Sequence, residues 1–473
     1  MSIWDGPLKF VECCCRRRLA PFAVLLCVFL LFGLQVGFVG LAQSAAAPDP
    51  SFGKDGRVIT KFAGVDNIIL ATALAPDGSI YAAGFGKTKG HRLGVIAKYA
   101  ANGDLDQTFG QRGSISDEDF DGAQAIALQS NGQVLVAGVY TGFATGGPAY
   151  VLKRYNGDGS LDSGFGSGGR VLDSIGPAGD FIDAIAVQSN GQILVGGNTE
   201  IVVGLKKHNQ AINGDFALAR YNSDGSADAS FGSNGKVITD FDGQFDSIKQ
   251  IVVQPNGQIV AAGQAGVPAS SLPNPVAPAG SVAVFGFARY NSNGSLDGGF
   301  GSGGLVTVAV NGVGSLLATV TLLSNGQILA GGATSLTLAF ARLNSNGSLD
   351  PAFGIGGQFF VPLLTQIGCE GFTDCNAVFS GAMAIAPQSD GTFLAYGGLA
   401  SEAVHFFAVS YNQDGSLNTA FGSNGILTAK FMGVGEINSV LIQQDGKVVA
   451  GGRAKVAGSR NQFELARYIV PGS

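Results

Sequence analysis

The chain holds one tryptophan, Trp4, and three histidines in 473 residues, and only 13% of it is charged. His91, His208 and His405 lie far apart in separate stretches. They make no ligand cluster of the kind that defines a metal site, so no metal or cofactor is expected. No G-x-S-x-G elbow and no H-E-x-x-H occurs, which removes two common hydrolase signatures. Four of the six cysteines, Cys13, Cys14, Cys15 and Cys27, crowd into the start of the chain. Cys369 and Cys375 remain; they suit a local disulfide in an oxidising compartment, and no histidine stands beside them to activate a thiol. Beyond residue 47 there is no basic run, which argues against nucleic acid or an anionic membrane surface as partner.

Glycine, by contrast, numbers 74, and 46% of residues are hydrophobic. That balance is too apolar for disorder and too glycine-rich for a helical protein, so short strands joined by tight turns are expected. Residues 1–47 differ from the rest. Arg16, Arg17 and Arg18 precede an uncharged run from Leu19 to about Ala42, and Ala42, Ser44, Ala45 and Ala46 supply small residues after it. This is the pattern of a secretory leader, and the run is also long enough to serve as an uncleaved membrane anchor. Without residues 1–47 the net charge is two units more negative than −6.

From residue 48 the chain repeats. Phe-Gly recurs at Phe52, Phe109, Phe165, Phe231, Phe300, Phe353 and Phe421. Asn-Gly or Asp-Gly recurs from Asp77, Asn131, Asn190, Asn256, Asn325, Asp390 and Asp445. An Ala-Arg-Tyr-like triplet recurs around Lys98, Arg154, Arg220, Arg289, Arg342, Ser410 and Arg467. Alternating apolar residues flank each Asn-Gly, which predicts a hairpin with a two-residue type I′ turn. Two further alternating segments, such as Phe216–Tyr221 and Gly235–Thr239, give four short antiparallel strands per unit. Seven such units predict an all-β chain folded as one seven-bladed β-propeller over residues 48–473.

Three sets of residues carry a resemblance: Gln129-Ser130-Asn131-Gly132, Ala219-Arg220-Tyr221 and Leu161-Asp162-Ser163-Gly164-Phe165-Gly166. They resemble the delta-60 repeat of bacterial exported proteins. The resemblance spans residues 48–473 and implies a propeller and export, with no activity attached.

Comparison of the copies separates scaffold from variation. The triplet's central residue stands eleven positions before Phe-Gly in each internal copy, whereas the stretch between hairpin and triplet varies, with long versions at 198–215 and 264–283. By analogy with WD-repeat blades, the variable loops share one face, the expected site of function. Lys98 and Asp106, Arg154 and Asp162, Arg220 and Asp228, Arg289 and Asp297, and Arg342 and Asp350 are expected to form structural ion pairs; Ser410 and Asn418 replace one pair together. Loss of a single member would strand a buried charge. The chain starts with a fourth strand and ends with a third, so the termini are expected to complete one blade, with Asp49 as partner of Arg467.

Asp66, Asp121, Asp183, Asp246 and Glu436 precede the inner strand in five copies. Together they suggest an acidic ring at the channel mouth that could focus a field on a cation or basic segment. Asn222-x-Asp224-Gly225-x-x-Asp228 has the outline of a calcium loop, but turn formation explains it better. Quinoprotein and sialidase-type repeats lean on repeated tryptophans that this chain lacks. The expectation is an exported, monomeric, non-catalytic binding or scaffold protein with a protein or polysaccharide partner outside the cell or at its envelope, touching membrane only through an uncleaved leader. The alternative is a hydrolase or lyase acting on an extracellular polymer through ring carboxylates.

Overall fold

Strands such as Ile259–Pro268, IVAAGQAGVP, are apolar at almost every position rather than at alternate ones. A strand of this kind must be covered on both faces. The computed structural model satisfies that demand by standing seven sheets side by side. It describes residues 46–471 apart from 63–65, 89–90, 141, 143–148, 178, 204–210, 273–280, 335–336, 362–377, 401–403, 432–433 and 456–460. Cys369, Cys375, His208 and nearly all of the leader lie outside the described residues. Among those described, no helix is long and apolar enough to cross a membrane.

Six sheets hold four antiparallel strands each in consecutive order, and the seventh is completed by both ends of the described chain. The chain is a seven-bladed β-propeller. Blade 3, for example, runs Asp180–Val187, Ile193–Val203, Ala211–Tyr221 and Lys236–Thr239. The core lies between blades. Ile193 and Val195 pack with Leu135 and Tyr150 of blade 2, whereas Leu194 packs with Ile248 and Ile259 of blade 4. Opposite-pointing neighbours on one strand thus weld three blades.

The hairpin turns differ from the sequence expectation. Gly132 donates its N–H to Gln129 O at 2.9 Å and Gln129 to Gln133 O at 2.9 Å. Gly132 has φ +83°, while Asn131 is not in the positive-φ region. This is a three-residue loop, a type I turn closed by a left-handed glycine, and not type I′, which would need positive φ at both central residues. Asn131 instead uses its Oδ1 to accept the Gln133 N–H at 3.1 Å.

Closure depends on Asn461–Ile469. Arg57–Thr60 pairs along one half of its outer edge, and Ala47–Pro48 pairs with Tyr468 and Ile469 along the rest. Arg467 Nε donates to Asp49 Oδ2 at 2.9 Å, with both side chains buried. Burial alone would raise the Asp49 carboxyl; the Ser51 hydroxyl and amide, Arg467 and Lys447 outweigh it and hold it below its ordinary value. A second link joins Arg57 to Glu464 at 3.3 Å. Glu464 is fully buried, and its Oε2 has no hydrogen-bond partner. Desolvation pushes it up to about 7, against a smaller lowering by Arg57.

Two outcomes follow from the closure. Asp49→Ala leaves Arg467 buried beside no carboxylate and is expected to cost about 3–5 kcal/mol in denaturant unfolding. Asp106→Ala, whose pair with Lys98 is more exposed, is expected to cost less. The native state keeps the Glu464 proton at pH values where the unfolded chain has released it. Its stabilising contribution is therefore full below about pH 4.5 and declines as pH rises to about 7. Glu464→Gln has no such proton to lose, so its melting temperature relative to the parent is expected to rise between pH 4.5 and 8; a pH-independent difference would contradict this.

Candidate functional site

Five of the seven blades meet the next through a repeated arginine contact on the face that carries the Asn-Gly turns. Arg220 Nε donates to Asp228 Oδ2 at 2.7 Å, and its Nη1 donates to Ser292 O in the following blade at 2.5 Å. Its guanidinium lies 4.4 Å from the centre of the Phe231 ring. Arg154–Asp162, Arg289–Asp297 and Arg342–Asp350 are likewise 2.7 Å apart, each over its own Phe-Gly phenylalanine. In blade 6, Asn418 Nδ2 donates to Ser410 Oγ at 3.2 Å. Gly232 N–H, at φ +52°, reaches Asn293 O in the next blade at 2.8 Å. A Cβ there would stand 2.2 Å from Lys236 O, so only glycine fits. Asp224 is consumed by the same architecture, accepting Ser226 N–H at 2.9 Å and its hydroxyl at 2.7 Å.

Hollows on this face repeat with the scaffold. One of about 650 Å³ is lined by Gln188, Gln192, Arg220 and Gln254, and another by the corresponding Gln254, Gln258 and Arg289 one blade on. Arg220 and Arg289 are already engaged, and Gln192 Nε2 donates to Asp228 at 2.6 Å. These grooves arise from blade packing rather than from a feature peculiar to one blade.

The opposite face is where the blades differ. In blade 5 the second and third strands, Ile328–Ala333 and Leu338–Leu343, have 6 residues each. In blade 3 the equivalents have 11, and in blade 4, Ile259–Pro268 and Ser281–Tyr290, they have 10. The two long hairpins extend the sheet on this face, and a satellite cluster of Ala265, Val267, Leu272 and Val284 packs within that of blade 4.

The five acids of the sequence-level ring come to different places. Each inner strand carries a bulge, and with the strands aligned on it the five do not share one position. Asp183 lies at the bulge itself and is ion-paired with Lys249, the bulge residue of the next blade. Glu436 is ion-paired with Arg453 on the neighbouring strand. Asp66 accepts the Asn461 N–H at 3.2 Å. Asp121 donates its own N–H to Val139 O at 2.9 Å. His91 and His405 sit in blades 1 and 6.

Asp246 is different. It is fully buried, and its backbone N–H donates to Gly214 O in the blade 3 hairpin at 2.5 Å. Its Oδ1 accepts Gly266 N–H of the blade 4 hairpin at 2.8 Å, and Oδ2 accepts Phe241 N–H at 2.9 Å. One aspartate thus clamps the roots of both long hairpins. Carboxylate oxygens of Asp215, Asp240 and Asp246 lie within 4.8 Å of one another. Desolvation pushes Asp246 up to about 7, offset in part by its two amide bonds and reinforced by Asp240 and Asp215. Asp215 is raised by burial and then by Asp240. Among the described residues no ion pair reaches any of the three.

Sequence reasoning reached Asp246 and missed Asp215 and Asp240. Asp215 ends the long variable stretch 198–215, and Asp240 follows an outer strand; nothing local links them. Sheet packing brings them together, because Asp215 within the third strand of blade 3, Asp240 just after its fourth and Asp246 just before the first strand of blade 4 meet on this face.

Six segments, 75–109, 129–165, 188–231, 277–300, 323–353 and 443–468, match the sequence model of a β-propeller described as a domain of unknown function, DUF5122. The chain is a β-propeller repeat protein. Each matched segment ends at Phe-Gly or the triplet. No curated protein matches this propeller in sequence. Among solved structures it is similar to a protein of unknown function from Dyadobacter fermentans, at 11% identity and TM-score 0.41, covering 89% of this chain and 100% of that one. A virginiamycin B lyase from Staphylococcus aureus is similar at 9% identity and TM-score 0.45, covering 87% and 98%. The polysaccharide lyase Uly1 is similar at 10% identity and TM-score 0.43, covering 92% and 95%. At these scores the likenesses carry no weight on activity.

Proposed function

We propose that this propeller is an exported, non-catalytic binding or scaffold protein that engages a protein partner through its variable face, and that its units are delta-60 repeats. The repeat residues quoted above and the leader pattern of residues 1–47 support the family and the export. The observation that carries the binding reading is an apolar arc at the mouth of three consecutive blades. Phe181, Phe245 and Leu316 each stand just before or at the start of an inner strand, in blades 3, 4 and 5, and are 37%, 42% and 51% exposed. Large apolar side chains left in water beside projecting hairpins mark an interaction surface better than isolated ones do. Phe245 is held in place by packing over Gly214, where a Cβ would stand 2.8 Å from its Cε2.

The enzymatic alternative has one observation in its favour, the carboxyl of Asp246 held at about 7 beside two other acids. That value would suit a general acid. However, Asp246 is fully buried and both its oxygens accept backbone N–H groups, so it presents no proton to a substrate. Binding is the better reading.

The full chain used as bait against an envelope extract and a glycan panel is expected to retain a protein, and the triple substitution Phe181→Ser, Phe245→Ser and Leu316→Ser to weaken capture at least about tenfold. Capture that survives the triple substitution would place the interface elsewhere. Retention of glycans alone would make the partner a polysaccharide, and self-association without other partners would indicate a surface layer.

A further inference from the structure

We propose that Asp215, Asp240 and Asp246 form a calcium site that fastens the long hairpin of blade 3 to the entry of blade 4 at the base of the variable face. The geometry suits the ion. Calcium takes oxygen ligands at 2.3–2.6 Å, so two ligands on one ion lie at most about 5 Å apart. The three carboxylates fall within 4.8 Å of one another. Magnesium, at 2.0–2.1 Å, would require the cluster to contract.

A second observation points to a ligand apart from the clustering of acids. Asp215 is 5% exposed, and its Oδ1 is buried with no hydrogen-bond partner. Its Cα partner on the neighbouring strand, Thr199, turns its own hydroxyl to Gly179 O at 3.2 Å. A buried carboxylate oxygen with no donor is costly unless something outside the chain satisfies it. A cation between Asp215 and Asp246 would do so, and would also cancel the mutual repulsion of three acids that no lysine or arginine neutralises among the described residues.

Each ligand has a distinct role. Asp246 is already oriented by Phe241 N–H and Gly266 N–H, and each of its oxygens keeps a lone pair for a metal. Asp240 is held by Asp242 N–H at 3.0 Å and Gly243 N–H at 2.6 Å, both to Oδ1. It is the exposed member, and it opens the cluster to solvent for ion exchange, with waters completing the coordination. Asp215 belongs to the third strand of blade 3, Asp240 follows the fourth, and Asp246 leads into blade 4. Occupancy would therefore tie the third strand of blade 3, the end of its fourth strand and the entry to blade 4 across a blade boundary. The site stands on this geometry whether or not the face docks a partner.

The test uses the full chain, stripped with chelator and titrated with CaCl₂ at neutral pH, read by calorimetry and by melting temperature. One calcium per chain is expected, with affinity on the order of 10⁻⁴ M and a melting temperature that rises with CaCl₂. MgCl₂ should give a smaller rise. Asp240→Asn leaves the buried clamp intact and is expected to weaken calcium binding about tenfold or more; Asp215→Asn should do the same. Asp183→Asn, outside the cluster, should leave calcium affinity unchanged. A chelated chain whose melting temperature ignores CaCl₂ would show that the acids share a proton instead, and overturn the proposal. Undiminished calcium binding by both Asp240→Asn and Asp215→Asn would overturn it as well, by moving the ion elsewhere.

Discussion

The arginine that reaches from one blade into the next is the contact on which this architecture depends. A guanidinium buried between sheets costs several kcal/mol unless its charge and its N–H groups are matched. Here the match is complete from three directions. Asp228 takes Nε of Arg220, the Phe231 ring lies against its plane, and Ser292 O of the next blade takes Nη1. Arg rather than Lys suits this place, because a planar fork can stack and donate in several directions at once. Blade 1 uses Lys98, which lies over Tyr81 at 5.5 Å and pairs with a more exposed Asp106.

Once that contact is made, much else is constrained. The arginine must stand at a set distance from Phe-Gly, so the segment between them cannot change length. The Phe-Gly glycine must take positive φ to donate its N–H across the boundary. Tyrosine of the triplet then points toward the previous blade: Tyr290 shares a hydrogen bond with Thr239 at 2.8 Å, and Tyr99 donates to Thr60 at 2.9 Å. The face carrying these turns is thereby committed to holding the ring. Variation is left to the other face, where hairpins can lengthen without disturbing the arginine contacts. The ring also obeys this rule at its ends, since Arg467 finds Asp49 from the start of the propeller and Ala101 O of blade 1.

Two buried acids show where the same scaffold tolerates cost. Glu464 has one oxygen near Arg57 and the other without a partner. Asp246 has both oxygens bonded but two acids for neighbours. The first belongs to closure and is answered within the chain. The second lies between the two elements that distinguish this propeller's variable face, and among the described residues no lysine or arginine pairs with it.

The fold was legible in the sequence because its contacts are local or repeated. Hairpins, triplets and the Arg-to-Asp spacing recur at fixed intervals, and the half-blade at each end announces closure through Asp49 and Arg467. The turn type was not legible, because Asn-Gly serves both type I′ and a type I turn with a left-handed glycine, and strand register decides between them. Nor could spacing show that Asp183 and Glu436 meet cations while Asp246 meets acids, since their neighbours come from adjacent strands and blades. What the sequence by itself determined is a ring of seven like units with one face of constant length, for five of the seven units must satisfy the same buried arginine, and the other two place Lys98 and Ser410 at its position. Only tertiary structure decided that Asp215, Asp240 and Asp246 converge, because a strand interior, a strand exit and a strand entry from two adjacent blades meet there, and that convergence is created by packing rather than by any pattern along the chain.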